Sequence, residues 1–173
     1  RHEGVARQLE PIYRNEGNQE GLRQVLEIVL EHQEDPLDRQ EYLQRLGQLE
    51  DEAFDQPDVA FDRFAAAFRA APREGNLVEQ LEASAQKAGR QADVAELYRE
   101  VIDGLGLGGM TPALEREEVD EDETAKSVER LTRSMRLRLG RVLFEELDRG
   151  DEALEQYELV LDDEPDNTSA LAA

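Results

Sequence analysis

Histidines, cysteines and paired carboxylates are where chemistry would be sought first. This chain has two histidines, 42 acidic residues and no cysteine. His2 and His32 each lie among acidic neighbours with no second ligand at metal-binding spacing, so neither reads as a catalytic or metal-bound group. Without Cys there is no disulfide, no thiolate nucleophile and no Cys-ligated zinc, and the redox compartment is left open. A general acid/base pair needs a pocket that shifts one partner's pKa, and no pair of carboxylates is marked out by its neighbours for that work. Asp120 to Thr124 opens like a calcium loop, but the sixth position is Ala125 where Gly is needed and the twelfth is Leu131 where Glu is needed. Gly104, Gly106, Gly108 and Gly109 lack a preceding strand and a following Lys-Ser/Thr, so they do not form a phosphate cradle. The expectation is a chain that is not an enzyme and uses no cofactor or metal.

Charge narrows the partners. The formal net charge of −22 disfavours nucleic acid, whose phosphates demand a basic face, and disfavours an anionic membrane surface. The acidity serves solubility, or fits a salt-rich or acid-tolerant host, or steers a basic partner. No apolar run approaches the roughly 18 residues needed to span a bilayer, and there is no signal-peptide pattern. The chain starts at Arg1 without Met, so a fragment or processed piece is expected, and a cytoplasmic location is favoured. Of the 20 basic residues only Lys87 and Lys126 are lysines, a skew pointing to a GC-rich bacterial genome.

The elements that would position any site are helices. Helix formers dominate, no stretch alternates apolar and polar over strand length, and the core must come from Leu, Val and Ala because there is no Trp and aromatics are 5%. Ala6, Leu9, Ile12 and Tyr13, then Leu22, Val25, Leu26, Val29 and Leu30, recur at helical spacing around Gly17. This predicts a first helical pair closed by Asp35 and Pro36, with Pro11 kinking the first helix or delaying its start. A second pair runs from Asp38, a helix cap with Glu41 three residues on, to Ala71. Tyr42, Leu43, Leu46, Leu49 and Ala53 form its first stripe, Asp55 to Pro57 its turn, and Ala60, Phe61, Phe64, Ala67 and Phe68 its second stripe. A third pair spans Asn76 to Asp103. The glycines from Gly104 are too flexible for a helix interior and open an insertion at 105–124. A long helix from Ala125 to Leu147 follows, then a turn at Gly150, a second helix, and from Asn167 the start of a further helix that implies the array continues.

In the last pair Leu137, Gly140, Arg141, Phe144, Ala153, Tyr157, Val160 and Pro165 fall at offsets that resemble the tetratricopeptide repeat (TPR) family. The turn positions Gly17, Asp55, Gly89 and Gly150 are 38, 34 and 61 residues apart. Two spacings fit a period of about 34, and the third contains the insertion. The resemblance implies an all-α fold, a right-handed α-solenoid of about four antiparallel helical hairpins. Residues 1–104 would form pairs one to three, and 125–173 the fourth pair with the start of a further helix.

It also implies a non-catalytic scaffold that holds a protein or peptide in the concave groove lined by the first helices. The groove-facing residues are then Arg7 and Arg14, Gln44, Arg45 and Gln48, Gln80, Gln86 and Lys87, and Arg138. They are basic or amide residues on an acidic chain, so the groove would take an acidic or polar peptide; otherwise they are ordinary solvated helix faces. Pro11 stands where the chaperone-tail clamp of this family needs Asn, so that specificity is not expected, and Glu117 to Asp120, which spells such a tail internally, reads as coincidence in an acidic run. The alternative function is self-assembly through exposed array ends. The insertion's run from Glu115 to Glu123 has seven carboxylates, against Arg130, Arg133, Arg136, Arg138 and Arg141 in the next helix. It is either a solvated loop or a flap that covers the Arg-rich face with Leu107, Met110, Leu114 or Val119.

Overall fold

The computed structural model describes residues 2–73, 75–106 and 121–173. Among these residues every regular element is helical. In order they are α1 (His2–Glu16), α2 (Gln19–Glu31), α3 (Pro36–Glu52), α4 (Pro57–Ala70), α5 (Asn76–Ala88), α6 (Gln91–Gly106), α7 (Glu121–Arg141), a π-helical turn (Val142–Glu146), α8 (Gly150–Asp163) and α9 (Thr168–Leu171). The chain divides into two compact units, Arg1–Ala88 and Gly89–Ala173. In the first unit α1 packs on α2, α2 on α3, α3 on α4 and α4 on α5; in the second α6 packs on α7, α7 on α8 and α8 on α9. No helix among the described residues is long and apolar enough to cross a membrane.

Local chemistry sets the helix ends. Four helical segments are followed by a left-handed residue: Gly17 (φ 66°), Asp55 (φ 53°), Gly89 (φ 70°) and Asp148 (φ 54°). Gly adopts this conformation without strain, and Asp is among the few L residues that visit it. The residue after it donates back into the helix, Asn18 N to Tyr13 O at 2.9 Å, Gln56 N to Glu50 O at 2.9 Å and Arg149 N to Leu143 O at 2.8 Å. The fourth turn therefore hinges on Asp148, and Gly150, expected at the turn, is instead the first residue of α8.

Three further expectations are corrected. Pro11 does not delay the start of α1, which begins at His2 and includes Pro11. The cap of α3 is Asp35, whose Oδ1 accepts from the backbone N–H of Leu37 at 2.9 Å and of Asp38 at 3.0 Å, with Pro36 opening the helix; Asp38 is already inside it. The helix α6 continues through Gly104 to Gly106, because Leu105 between them is buried and its apolar burial offsets the glycine cost. Leu107 to Asp120, which include most of the insertion, its proposed flap residues and the Glu117 to Asp120 motif, lie outside the described residues.

Counting from the left-handed residue aligns the helices that follow it. Nine residues on stand Leu26, Phe64, Tyr98 and Tyr157, and twelve residues on stand Val29, Ala67, Val101 and Val160, all buried. Eight residues before it, the second and fourth segments carry Gly47 and Gly140. A Cβ on Gly47 would lie 2.6 Å from a Phe64 ring carbon, and one on Gly140 would lie 2.6 Å from a Tyr157 ring carbon. The ring of the second helix thus lies on the bare backbone of the first, and only Gly leaves room for it. Five residues before the turn, Leu143 fills a core place that Ser84 and the carboxylate of Glu50 fill in other segments. Glu50 is 2% exposed, and its nearest cation, Arg23 Nη1, is 3.8 Å away. Gln40 is fully buried, with neither amide atom hydrogen-bonded among the described residues.

Substituting Gly47→Ala adds a helix-favouring residue worth about 1 kcal/mol but forces a buried ring to move, at about 1–3 kcal/mol. Urea unfolding should show Gly47→Ala less stable than wild type, while Gly4→Ala, whose added Cβ meets nothing within 4 Å, should be neutral or stabilising. Gln40→Leu, which removes two unpaired buried polar atoms at similar volume, should raise the midpoint.

Candidate functional site

The residues expected to face a groove are drawn mostly from α1, α3 and α5, and the first unit links these helices through polar side chains. Arg45 on α3 is bound to Glu10 on α1, with both side chains largely buried (23% and 14% exposed). Gln44 Nε2 donates to Gln80 Oε1 at 2.6 Å and to Asn76 Oδ1 at 3.2 Å, tying α3 to α5. Lys87 on α5 meets Asp51 on α3 at 2.6 Å. A fourth link joins the second helices, Arg63 on α4 to Glu27 on α2 at 2.7 Å. Gln44 and Asn76 are 32 residues apart in sequence and the other partners 35 or 36, all close to the period of about 34.

Aromatic stacking adds to the face. Tyr42 receives two guanidiniums over its ring, Arg45 at 5.2 Å and Arg7 at 6.0 Å from the centroid. Arg14, exposed at 56%, pairs with Glu10 at 2.7 Å, so one carboxylate serves two arginines. Beside these groups lies a cavity of about 590 Å³ lined by Arg14, Arg45, Gln48 and Glu52 together with the apolar Leu22, Leu26 and Leu49. It combines an apolar wall with guanidinium and amide donors, as a side-chain pocket for a peptide would.

The structure thus brings together Arg14, Arg45 and Gln48 around one cavity and places Gln44, Gln80 and Lys87 in links between α3 and α5. Arg7 stands on the Tyr42 ring at the α1 edge. Gln86 is exposed. Arg138 lies in the second unit, where it lines a separate cavity of about 450 Å³ with Ser134, Leu137, Arg141, Glu145 and Tyr157. Sequence reasoning missed Glu10, Asp51 and Asn76 as partners and counted Tyr42 only as core. The signal that finds them is opposite or complementary polarity one repeat apart, as in Glu10 with Arg45 and Asp51 with Lys87.

Among the described residues the groups with displaced pKa values are Glu20, Arg23, Tyr157 and Glu164, and the lining of the 590 Å³ cavity includes none of the four. A hydrogen bond from Arg23 holds the Glu20 carboxyl below its ordinary range and raises Arg23 in turn. The Asn167 amide holds Glu164 low at the foot of α9, with Arg133 adding to the effect. Burial pushes the Tyr157 phenol up, and Glu145 adds to it. Among the described residues no three His, Cys, Asp or Glu side chains gather as a metal site would require. Set beside known proteins, the chain matches no family model and no curated protein.

The largely buried Glu10 to Arg45 link should be worth more than the more exposed Asp51 to Lys87 link, because solvent screens the second. Double-mutant cycles with alanine, read by urea unfolding, should give a coupling of about 1 kcal/mol for the first pair and near zero for the second, with only the second vanishing in high salt.

Proposed function

We propose that this chain is a TPR-like helical-hairpin array, a right-handed α-solenoid of about four hairpins, and that it is a non-catalytic scaffold holding an acidic or polar peptide segment on its first-helix face. The observation that carries this reading is the run of side-chain links 32 to 36 residues apart along α1, α3 and α5, which joins amide and cationic groups of successive helices and so supports a shared face. A peptide laid along that face meets Arg7, Arg14, Arg45 and Lys87 in turn, with the apolar wall of the 590 Å³ cavity for one of its side chains.

The cations of this face already hold carboxylates of the same chain. Glu10 sits on Arg14 and Arg45, and Asp51 sits on Lys87. An incoming acidic side chain replaces an internal carboxylate at nearly equal electrostatic gain, so charge selects the partner while apolar burial in the cavity supplies most of the affinity. Such an exchange favours moderate affinity and fast release.

A fluorescence-polarisation screen of acidic, basic and uncharged synthetic peptides tests this. Acidic peptides with one large apolar residue should bind best, and Arg45→Ala with Lys87→Ala should weaken them about tenfold, the loss of roughly one charge-assisted hydrogen bond. Binding of basic peptides in preference, or acidic-peptide binding unchanged in the double variant, would overturn the assignment.

A further inference from the structure

One carboxylate holds the cations that an acidic ligand needs. Glu10 Oε1 accepts from Arg14 Nη2 at 2.7 Å and also from Arg45 Nη2. Both arginines line the 590 Å³ cavity, while Glu10 stands outside that lining, only 14% exposed. Arg45 is fixed on its flat side as well, 5.2 Å from the centroid of the Tyr42 ring, so its guanidinium is held in place while Glu10 takes up the Nη2 edge. The Nη1 edge turns toward Glu41, whose carboxylate is 68% exposed and 3.9 Å away, too far for a hydrogen bond.

The repeat register shows that this contact is not what joins neighbouring first helices. Glu10 stands seven residues before the left-handed Gly17, and Arg45 stands ten residues before the left-handed Asp55. At the next junction the same two places hold Gln48 on α3 and Glu79 on α5, and no hydrogen bond joins that pair. There α3 and α5 are tied through Gln44 and Lys87 instead. α1 has an apolar seat of its own, with Ala6 buried among Val25 and Val29, and Leu9 and Tyr13 packed against them. A carboxylate bridging two cavity-lining cations is thus a feature of this one place and not of the repeat's packing.

We propose that Glu10 is an autoinhibitory contact, an internal competitor that fills the position between Arg14 and Arg45 and must be displaced before a ligand's carboxylate can dock there. This rests on the peptide-binding reading and adds the regulation of that site. Asp51 does not act in the same way, because its partner Lys87 is not part of the cavity lining. Glu10 is tethered beside both guanidiniums, and a tethered group competes at an effective concentration on the order of millimolar, far above that of a peptide in dilute solution. The apparent affinity is then the intrinsic affinity scaled by the fraction of time the position stands open. The contact lowers affinity and sharpens selection: a ligand carrying only a carboxylate is out-competed by Glu10, whereas one that also buries an apolar side chain against Leu22, Leu26 and Leu49 displaces it.

Fluorescence polarisation at fixed low salt tests this with a labelled peptide of glutamates around one leucine. Wild type, Glu10→Gln and Glu41→Gln are compared after circular dichroism of each. Glu10→Gln keeps the size of the side chain and removes the charge that holds both cations, so it should bind the peptide about fivefold or more tightly than wild type. Glu41→Gln removes the same charge from beside the same guanidinium, but from a carboxylate not hydrogen-bonded to it, and should change affinity by less than about twofold. Equal tightening by both variants would show a general effect of charge and overturn the proposal. If wild type binds and Glu10→Gln binds no more tightly, Glu10 is a positioning residue that pre-arranges the arginines; the inference then fails and the peptide reading stands. No binding by wild type or by Glu10→Gln would overturn both. Should Glu10→Gln lose helicity, Glu10→Asp replaces it: one methylene shorter, it draws back from the guanidiniums and should also tighten binding, and failure to do so would overturn the proposal.

Discussion

An aromatic ring lying on a glycine backbone is the contact on which the helical pairs depend. Phe64 over Gly47 and Tyr157 over Gly140 sit at the same distance from a left-handed turn residue, with no room at either place for a Cβ. The turn fixes how far the chain travels before it comes back, so it fixes which side chain of the second helix meets which of the first. With that distance set, the buried places at nine and twelve residues past the turn follow in all four segments, filled by Leu26, Phe64, Tyr98 and Tyr157 and by Val29, Ala67, Val101 and Val160. A chain without Trp and with few aromatics places three of them in one repeating position.

The polar face follows from the same geometry. Residues 35 or 36 apart come within hydrogen-bond reach across α1, α3 and α5, as Glu10 with Arg45, Gln44 with Gln80, and Asp51 with Lys87 show. In so acidic a chain these few cations and amides do two jobs. They neutralise carboxylates between neighbouring helices, and in the proposed reading they form the face that an acidic or polar partner meets. The proposed peptide and the internal carboxylates compete for the same guanidinium groups, so stability of the face and occupancy of the face are coupled.

Much of this was legible in the sequence. Apolar spacing located the helices, and Gly17, Asp55 and Gly89 marked three of the four turn residues. The fourth was misplaced at Gly150 because glycine is the usual carrier of a positive φ, and Asp148 takes it here. The α3 cap was misassigned because Asp38 with Glu41 matches a capping pattern, but Asp35 lies before a proline that opens the helix, and the backbone obeys the proline. At Gly104 and Gly106, tertiary burial of Leu105 outweighed local propensity. Side-chain partners were the least legible part, because nothing local in a sequence says that Glu10 and Arg45 share a hydrogen bond; only a register one repeat long does.

Nearest-neighbour stability organised by these ring-on-glycine contacts is the central claim, and native-state hydrogen exchange on Gly47→Ala tests it most directly. Each hairpin should be held mainly by the helices it touches, so protection should fall in α3 and α4 and, to a lesser degree, in α2 and α5, while α8 keeps its wild-type protection. An equal loss of protection from α1 through α8 would mean a single cooperative body with no repeat-by-repeat stability, and would contradict the account.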